Sequence, residues 1–345
     1  MIRTAEATLS CKFDGEPLIV GTSGRYEFRN KGIDIFLDAL KQLAETDALD
    51  REVLVYITVP SATTGPRKDL QAHLADENSP IDPKQNRFCT HYLEHPEWDQ
   101  ILNSIAGSVL ANPSSKVKVV FVPTYLNGRD GIFDKSYYEL LVGMDMTLFP
   151  SYYEPWGYTP LESTAFSVPT LTTTLAGFGL WAGSQGEHEG VTLVARNDDN
   201  YAEAAREIAK ALLHFTKYTP QEVEIARNAA AELSRTALWS ELYAAYEKAY
   251  SEAIERSVTR TNRAVLNDGG GATEQINFVR QQLITEKPHW NRVMVEKVLP
   301  KRLHALEVLS HNLWWSWTSG ARDLFEYIDQ KLWSECEKNP IVFLD

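Results

Sequence analysis

Apolar residues fall in short continuous runs up to about residue 175, and beyond that they recur at helical spacing. The stretch "PLIVGTSG" reads as a buried strand ending in a Gly-bounded turn. In "KGIDIFLDALKQLAE", Ile33, Phe36, Leu37, Leu40 and Leu43 recur at i, i+3, i+4, i+7 and i+10, which predicts an amphipathic helix. "EVLVYITVP" and "KVKVVFVP" give the next two strands, "SYYELLVG" a short helix and "DMTLFP" a fourth strand. A helix entered through Pro160 ("PLESTAFS") and a fifth strand ("VPTLTTT") follow. Continuous apolar runs, rather than strict alternation, suit strands covered on both faces. Interleaved with helices, they predict an α/β fold with a doubly wound, parallel, Rossmann-like sheet.

Two stretches break this rhythm. Residues 60–115 form a polar insertion rich in Pro, Asn and Ser, with a helical piece near "PEWDQILNSIAGSVL". After "VTLVARND", Asp199 or Asn200 can cap a helix whose face carries Tyr201, Ala204, Ala205, Ile208, Leu212 and Phe215. A second helix is expected at 221–235, and "WSELYAAYEKAYSEAI" extends helically to about 256. Apolar density then drops through 257–287, which contains "NDGGGATEQ" and reads as a linker. From 288 a helical period resumes, with Leu303, Leu306, Leu309, Leu313 and Trp317. The expected division is a sheet domain over 1–256, a linker over 257–287, and the helical opening of a second, incomplete domain over 288–345.

The chain of 345 residues is 43% hydrophobic, enough for a sizeable core, and carries a net charge of −13. That balance argues against nucleic acid or an anionic membrane as the main partner, while a local Lys/Arg pair can still take a phosphate. Cys11, Cys89 and Cys336 are scattered and lack CxxC spacing, so no disulfide framework or zinc ribbon is indicated. No stretch approaches a membrane span and the N-terminus has no apolar signal core, which makes a cytoplasmic setting the expectation.

Candidate chemistry gathers in "FPSYYEPWGYTPLES" (149–163), where Glu154 and Glu162 stand with seven residues between them in a frame of aromatics, Pro and Gly. Ligands of doubly wound folds sit beyond the carboxyl ends of the strands, which is where this strand–loop–helix passage lies. Two carboxylates a loop apart can hold two sets of hydroxyls on one extended ligand. Thr159 and Pro160 open a helix whose free N–H groups favour a phosphate. Taken singly, Glu162 also reads as a first-turn acid complementing the helix dipole, and Glu154 as a solvated loop residue. In "GTSGRYEFRNKGIDIF", Arg25 and Lys31 flank a polar turn at the first strand's exit, either to neutralise a diphosphate or as surface cations. No GxGxxG fingerprint or GxxxxGK[ST] loop is present. Cys89, His91 and His95 in "CTHYLEH" lack a fourth ligand nearby, so no metal site is expected. Asp76–Glu77 and Asp198–Asp199 read as solvated loop acids.

"GRYEFRNKGIDIF", "LFPSYYEPWGYTPLES" and "TTTLAGFG", in that order, resemble the C-terminal Rossmann-like lobe of glycogen synthases of glycosyltransferase family 3, over about residues 17–256. These are retaining enzymes with two facing lobes, the GT-B arrangement. The resemblance implies that UDP-glucose is the donor and an α-1,4-glucan the acceptor. Glu154 would then face the donor glucose, Glu162 the ribose, and Arg25 and Lys31 the diphosphate. Trp156, Gly157, Tyr158 and Thr159 would line the glucose and phosphate site, and Tyr137 would stack on uracil, with Tyr138 a competing assignment. It implies no metal or other cofactor for this lobe, and a facing N-terminal lobe not contained in this chain. A homo-oligomer is compatible with it. The arginine-rich helix that reads glucose 6-phosphate in eukaryotic members has only Arg227 and Arg235 as counterparts in 219–239, so that activation is not expected. "NLWWSW" followed by "ARDLF" resembles the start of bacterial-type α-glucan phosphorylases. This implies a synthase–phosphorylase fusion whose pyridoxal phosphate lysine lies beyond Asp345. Two other readings stay open: a nucleotide- or glucan-binding module inactive by itself, and a GT-B enzyme making a small glycoside.

Overall fold

A computed structural model describes residues 1–186 and 188–267, with residues 257–267 described by their backbone alone. Helix α1 (Ile2–Leu9) precedes strand β1 (Leu18–Ser23), helix α2 (Ile33–Ala44) and strand β2 (Val53–Thr58). The polar insertion holds β3 (Thr63–Pro66), α3 (Lys68–Ala75), β4 (His91–Leu93) and α4 (Gln100–Ala106). Then come β5 (Val117–Val122), α5 (Tyr137–Leu141), β6 (Met146–Phe149), α6 (Tyr158–Ala165), β7 (Thr170–Thr173), α7 (Gly177–Ser184) and β8 (Val191–Val194). Three helices end the series: α8 (Tyr201–Phe215), α9 (Pro220–Thr236) and α10 (Trp239–Asn267).

Six strands form one sheet in the order β5-β2-β1-β6-β7-β8, every pair parallel, so the α/β doubly wound expectation holds. β2, β5, β6 and β7 are buried along their whole length; β2, β6 and β7 are apolar and threonine runs, and in β5 the one charge, Lys118, is buried with its ammonium donating to Pro113 O. The five residues of the α2 stripe are all buried in the main core. The crossovers β1-α2-β2 and β6-α6-β7 step in opposite directions along the sheet. Right-handed connection therefore puts α2 and α6 on opposite faces. α8 packs on α2, and α9 on α6, completing the two layers.

Several local expectations change. β8 is a sixth strand at "VTLV", a run too short and too exposed to announce itself by pattern. The insertion contains an antiparallel β3–β4 pair as well as helices. α6 starts at Tyr158, ahead of Pro160, because Gly157 takes a left-handed conformation at its N-cap. Asn200 occupies the N-cap of α8 but bonds the preceding loop, at Asn197 N and Ala195 O, rather than the helix. The chain divides into two compact units, Met1–Leu242 and Tyr243–Asp345. α10 runs to Asn267, so the first part of the expected linker is helical. The rest of that linker and the helical segment 288–345 lie outside the described residues. No helix among the described residues is long and apolar enough to cross a membrane.

Candidate functional site

β1 sits at the centre of the sheet, with β2 on one side and β6 on the other. The chain winds outward from β1 through β2 to β5, then returns to β6 and winds the other way. The crevice beyond the carboxyl ends of β1 and β6 is thus the point where strand order reverses, the standard ligand position of open α/β sheets. The β1–α2 loop brings Lys31 to this crevice and the β6–α6 loop brings Glu154. Their side chains form an ion pair, both mostly shielded from solvent.

The first loop is shaped by Glu27. Its backbone carbonyl accepts from Lys31 N–H at 2.8 Å, its carboxylate accepts from Asn30 at 2.7 Å, and it pairs with Arg25 at 2.9 Å. The Arg25 side chain is 76% exposed. Arg25 and Lys31 therefore share a loop, but Lys31 pairs with Glu154 and Arg25 with Glu27. Gly32 follows at φ 68°, where a Cβ would stand 1.9 Å from Pro150 O, so only glycine lets the two loops close. Tyr152 N–H donates to Asn30 O at 2.8 Å across the same seam.

The second loop is clamped from the other side. Glu154 N–H donates to Leu175 O at 3.2 Å, and Gly177 N–H donates to Glu154 O at 3.0 Å. A Cβ on Gly177 would meet Pro155 O at 2.1 Å, which explains the glycine in "TTTLAGFG". Trp156 is half-buried against Phe178 and Trp181, at ring separations of 6.1 and 5.7 Å, so most of its ring belongs to a small core cluster. Tyr158 is exposed, Thr159 half-buried, and no side chain caps the N-terminus of α6, leaving its first N–H groups open to an anion.

Further along the crevice, Tyr137 is half-buried with its hydroxyl 2.8 Å from Ser23 Oγ at the end of β1. Burial pushes this phenol up to about 12. Tyr138 is exposed and stacks on Phe166 at 4.9 Å, and its hydroxyl donates to Glu162 at 3.1 Å. The Glu162 charge raises the Tyr138 phenol above its ordinary value. Tyr137 and Tyr138 meet edge to face at 5.4 Å. Of the two tyrosines, Tyr138 shows the more open ring and Tyr137 the more rigid one.

The remaining candidates take other places. His91 is buried in β4, with Nε2 3.0 Å from Asp130 O and Nδ1 2.8 Å from Thr90 Oγ1, and burial lowers its pKa. His95 stacks on the exposed Trp98 outside any shared helix, so the i, i+4 spacing of the two histidines has no helical meaning. Asp198, expected as a solvated acid, accepts from the Tyr152 hydroxyl. Arg227 is used inside the fold, donating to Met144 O at 2.7 Å and Ser167 O at 3.2 Å. One residue of the site was missed by pattern: buried Arg196, at the exit of β8, donates to Pro150 O. A lone arginine ending an apolar run at the carboxyl edge was the signal available.

Comparison with known proteins gives a family model for glycogen synthase matching residues 72–304, which takes in Tyr137 and the whole Glu154–Glu162 passage, while Arg25 and Lys31 precede it. A family of unknown function, DUF3417, matches residues 299–345. The glycogen [starch] synthase of Neurospora crassa is 28% identical over 305 residues, covering 71% of this chain and 43% of that protein. The liver glycogen [starch] synthase of Homo sapiens is 28% identical over 296 residues, covering 70% of this chain and 42% of that protein. The chain thus spans less than half the length of these relatives. Among solved structures, the pneumococcal O-GlcNAc transferase GtfA in complex with UDP and GlcNAc aligns at a TM-score of 0.42 and 12% identity, over 69% of this chain and 36% of that one.

Proposed function

The chain belongs to the glycogen synthase family, and from that premise we propose that Met1–Leu242 is the C-terminal, donor-binding lobe of a retaining GT-B glucosyltransferase that extends an α-1,4-glucan from UDP-glucose. The observation that carries the reading is the Lys31–Glu154 pair across the reversal point of the sheet. Glucosyl transfer breaks the bond between the anomeric carbon and the diphosphate oxygen and forms one to an acceptor hydroxyl, with a proton released. Positive charge develops on the sugar and negative charge on the departing diphosphate. A carboxylate and an ammonium side by side supply a group for each. Glu154 stabilises the sugar cation, and Lys31, joined by Arg25 swinging on its exposed stem, stabilises the leaving group. Gly157, Tyr158 and Thr159 offer backbone close to the phosphates, with Trp156 closing the sugar side. Glu162 takes the ribose and Tyr137 the base. The facing lobe of the same protein and the glucan acceptor complete the site. Free Cys11 and Cys89 suit a reducing, cytoplasmic setting.

Calorimetric titration of the chain with UDP and with ADP tests the donor site. UDP is expected to bind in preference to ADP, and Lys31→Ala and Glu162→Ala each to weaken it about tenfold or more, the loss of a hydrogen bond to a charged group. Equal binding of both nucleotides, or affinity unchanged in both variants, would sink the donor-site assignment. The finer reading of residues 288–345, as the opening of an α-glucan phosphorylase fused to the synthase, rests on "NLWWSW" and "ARDLF". Its pyridoxal phosphate would be bound by the phosphorylase part. Glucose 1-phosphate release from glucan by the full reading frame checks it.

A further inference from the structure

We infer that Arg196 is a positioning residue of this site: it holds the loops carrying Lys31 and Glu154 at the separation where those two side chains meet. The inference rests on the donor-site reading for its consequence in binding, and on geometry of its own for the rest. Arg196 leaves the end of β8, two strands away from β6, and is only 6% exposed. Its backbone is fixed by one side chain, since Arg196 N–H donates to Thr174 Oγ1 at 3.0 Å and Thr174 Oγ1 donates to Arg196 O at 3.2 Å. From that anchor the guanidinium reaches under the crevice. It donates to Pro150 O and lies over the Tyr152 ring at 5.2 Å, both on the Glu154 loop. On the other side it abuts Gly32, where an added Cβ would stand 3.2 Å from Nη1. Gly32 directly follows Lys31, and Tyr152 N–H is bonded to Asn30 O, directly before it. One buried planar cation therefore bonds Pro150 and faces Tyr152 on the Glu154 loop, and fills the space that a side chain on Gly32, next to Lys31, would need.

Packing alone does not call for an arginine there. Burial lowers the Arg196 pKa, with Asp34 the charge that favours the cation, and its direct contacts are a carbonyl and aromatic faces. A buried charge so placed is unfavourable unless its geometry is used. A guanidinium donates in its plane and stacks with its faces at the same time, so it can fix a carbonyl and a ring together. Lysine can keep the first contact but not both.

The test reads Lys31 directly in the full chain, by acetylation with an amine-reactive anhydride and mass spectrometry. Lys210 serves as the exposed reference and buried Lys118 as the reporter of an intact fold. Glu154→Gln sets the level of Lys31 labelling when its partner is lost. In Arg196→Met, Lys31 labelling is expected to rise several-fold toward that level while Lys118 stays protected, and in Arg196→Lys to rise part of the way. Lys31 labelling equal to wild type in a folded Arg196→Met protein would overturn the inference. Should Lys118 also become labelled in that variant, Arg196→Lys decides alone: a selective rise at Lys31 supports the role and no rise rejects it. UDP titration of the same variants separates the two readings. Labelling that responds in a chain indifferent to UDP upholds the positioning role and removes the donor site. UDP binding with unresponsive labelling does the reverse.

Discussion

Lys31 and Glu154 are 123 positions apart in the chain, so no local preference brings them together. Two adjacent strands and a seam of close backbone contacts do. Gly32 is the tightest point of that seam, and Gly32→Ala adds a Cβ into Pro150 O and strains a positive φ. The expected loss is about 2–4 kcal/mol of stability, measured by urea unfolding. Tyr138 offers a gentler probe. Tyr138→Phe keeps the stack on Phe166 and removes the hydroxyl that steadies Glu162. UDP affinity is expected to fall by about three- to tenfold, the worth of one hydrogen bond, and the effect to vanish for a UDP analogue lacking both ribose hydroxyls. An equal loss with that analogue would place Glu162 elsewhere than on the ribose.

At the scale of elements, α9 behind the crevice is fixed at its N-terminus by its own side chains. α9 begins with a complete capping box, in which Thr219 bonds Glu222 N–H and the Glu222 carboxylate returns to Thr219 N–H. That helix packs on α6, which carries Tyr158 and Thr159 in its first turn and Glu162 beyond it, so Glu162 is not the first-turn acid that entry through Pro160 predicted; α9 buries Ala226, Ala230 and Leu233. Thr219→Ala is expected to cost about 1 kcal/mol, seen as a lowered melting temperature without change in UDP affinity. Gly190 lets α9 come close, since a Cβ there would meet Ala230 N at 2.2 Å. Cap residues such as Thr219 and Glu222 are visible in a sequence because their spacing is fixed by one helical turn. A close approach such as Gly190 to Ala230 is not, because its partner lies in another element.

For the first unit as a whole, acid sensitivity follows from one buried ring. His91 is held neutral between Asp130 O and Thr90 Oγ1, and burial puts its folded pKa below the ordinary 6.5. The unfolded chain therefore takes up a proton first. This contribution to stability is whole above about pH 6.5 and is lost as pH falls through that value toward the folded pKa. Asp34 and Asp99 act in the opposite sense, since burial pushes their carboxyls up. Urea midpoints at about pH 7.5 and about pH 5.5 isolate the histidine: the wild-type midpoint should drop across this window, and that of His91→Gln should drop less. An equal slope in the two proteins would remove His91 as the cause.

The sequence by itself determined the parallel α/β core and the amphipathic helix α2, and it marked the two motifs from which the candidate site is built. Buried parallel strands and apolar stripes leave a periodic trace, and the Glu154–Glu162 passage is too rich in Gly, Pro and aromatics for a plain connection. The weak strand β8, the β3–β4 pair and the helical course through 257–267 left no such trace. β8 and the β3–β4 pair are set by the neighbours they bond to. Only the tertiary structure decided which charges meet. It paired Lys31 with Glu154 and Arg25 with Glu27, tied Tyr138 to Glu162, and put Arg196 beneath the Pro150 carbonyl. Those contacts join residues distant in the chain, beyond the ends of adjacent strands for Lys31 and Glu154, two strands apart for Arg196 and Pro150, and on two helices for Tyr138 and Glu162. Such neighbourhood is a property of winding order, which hydrophobic spacing does not encode.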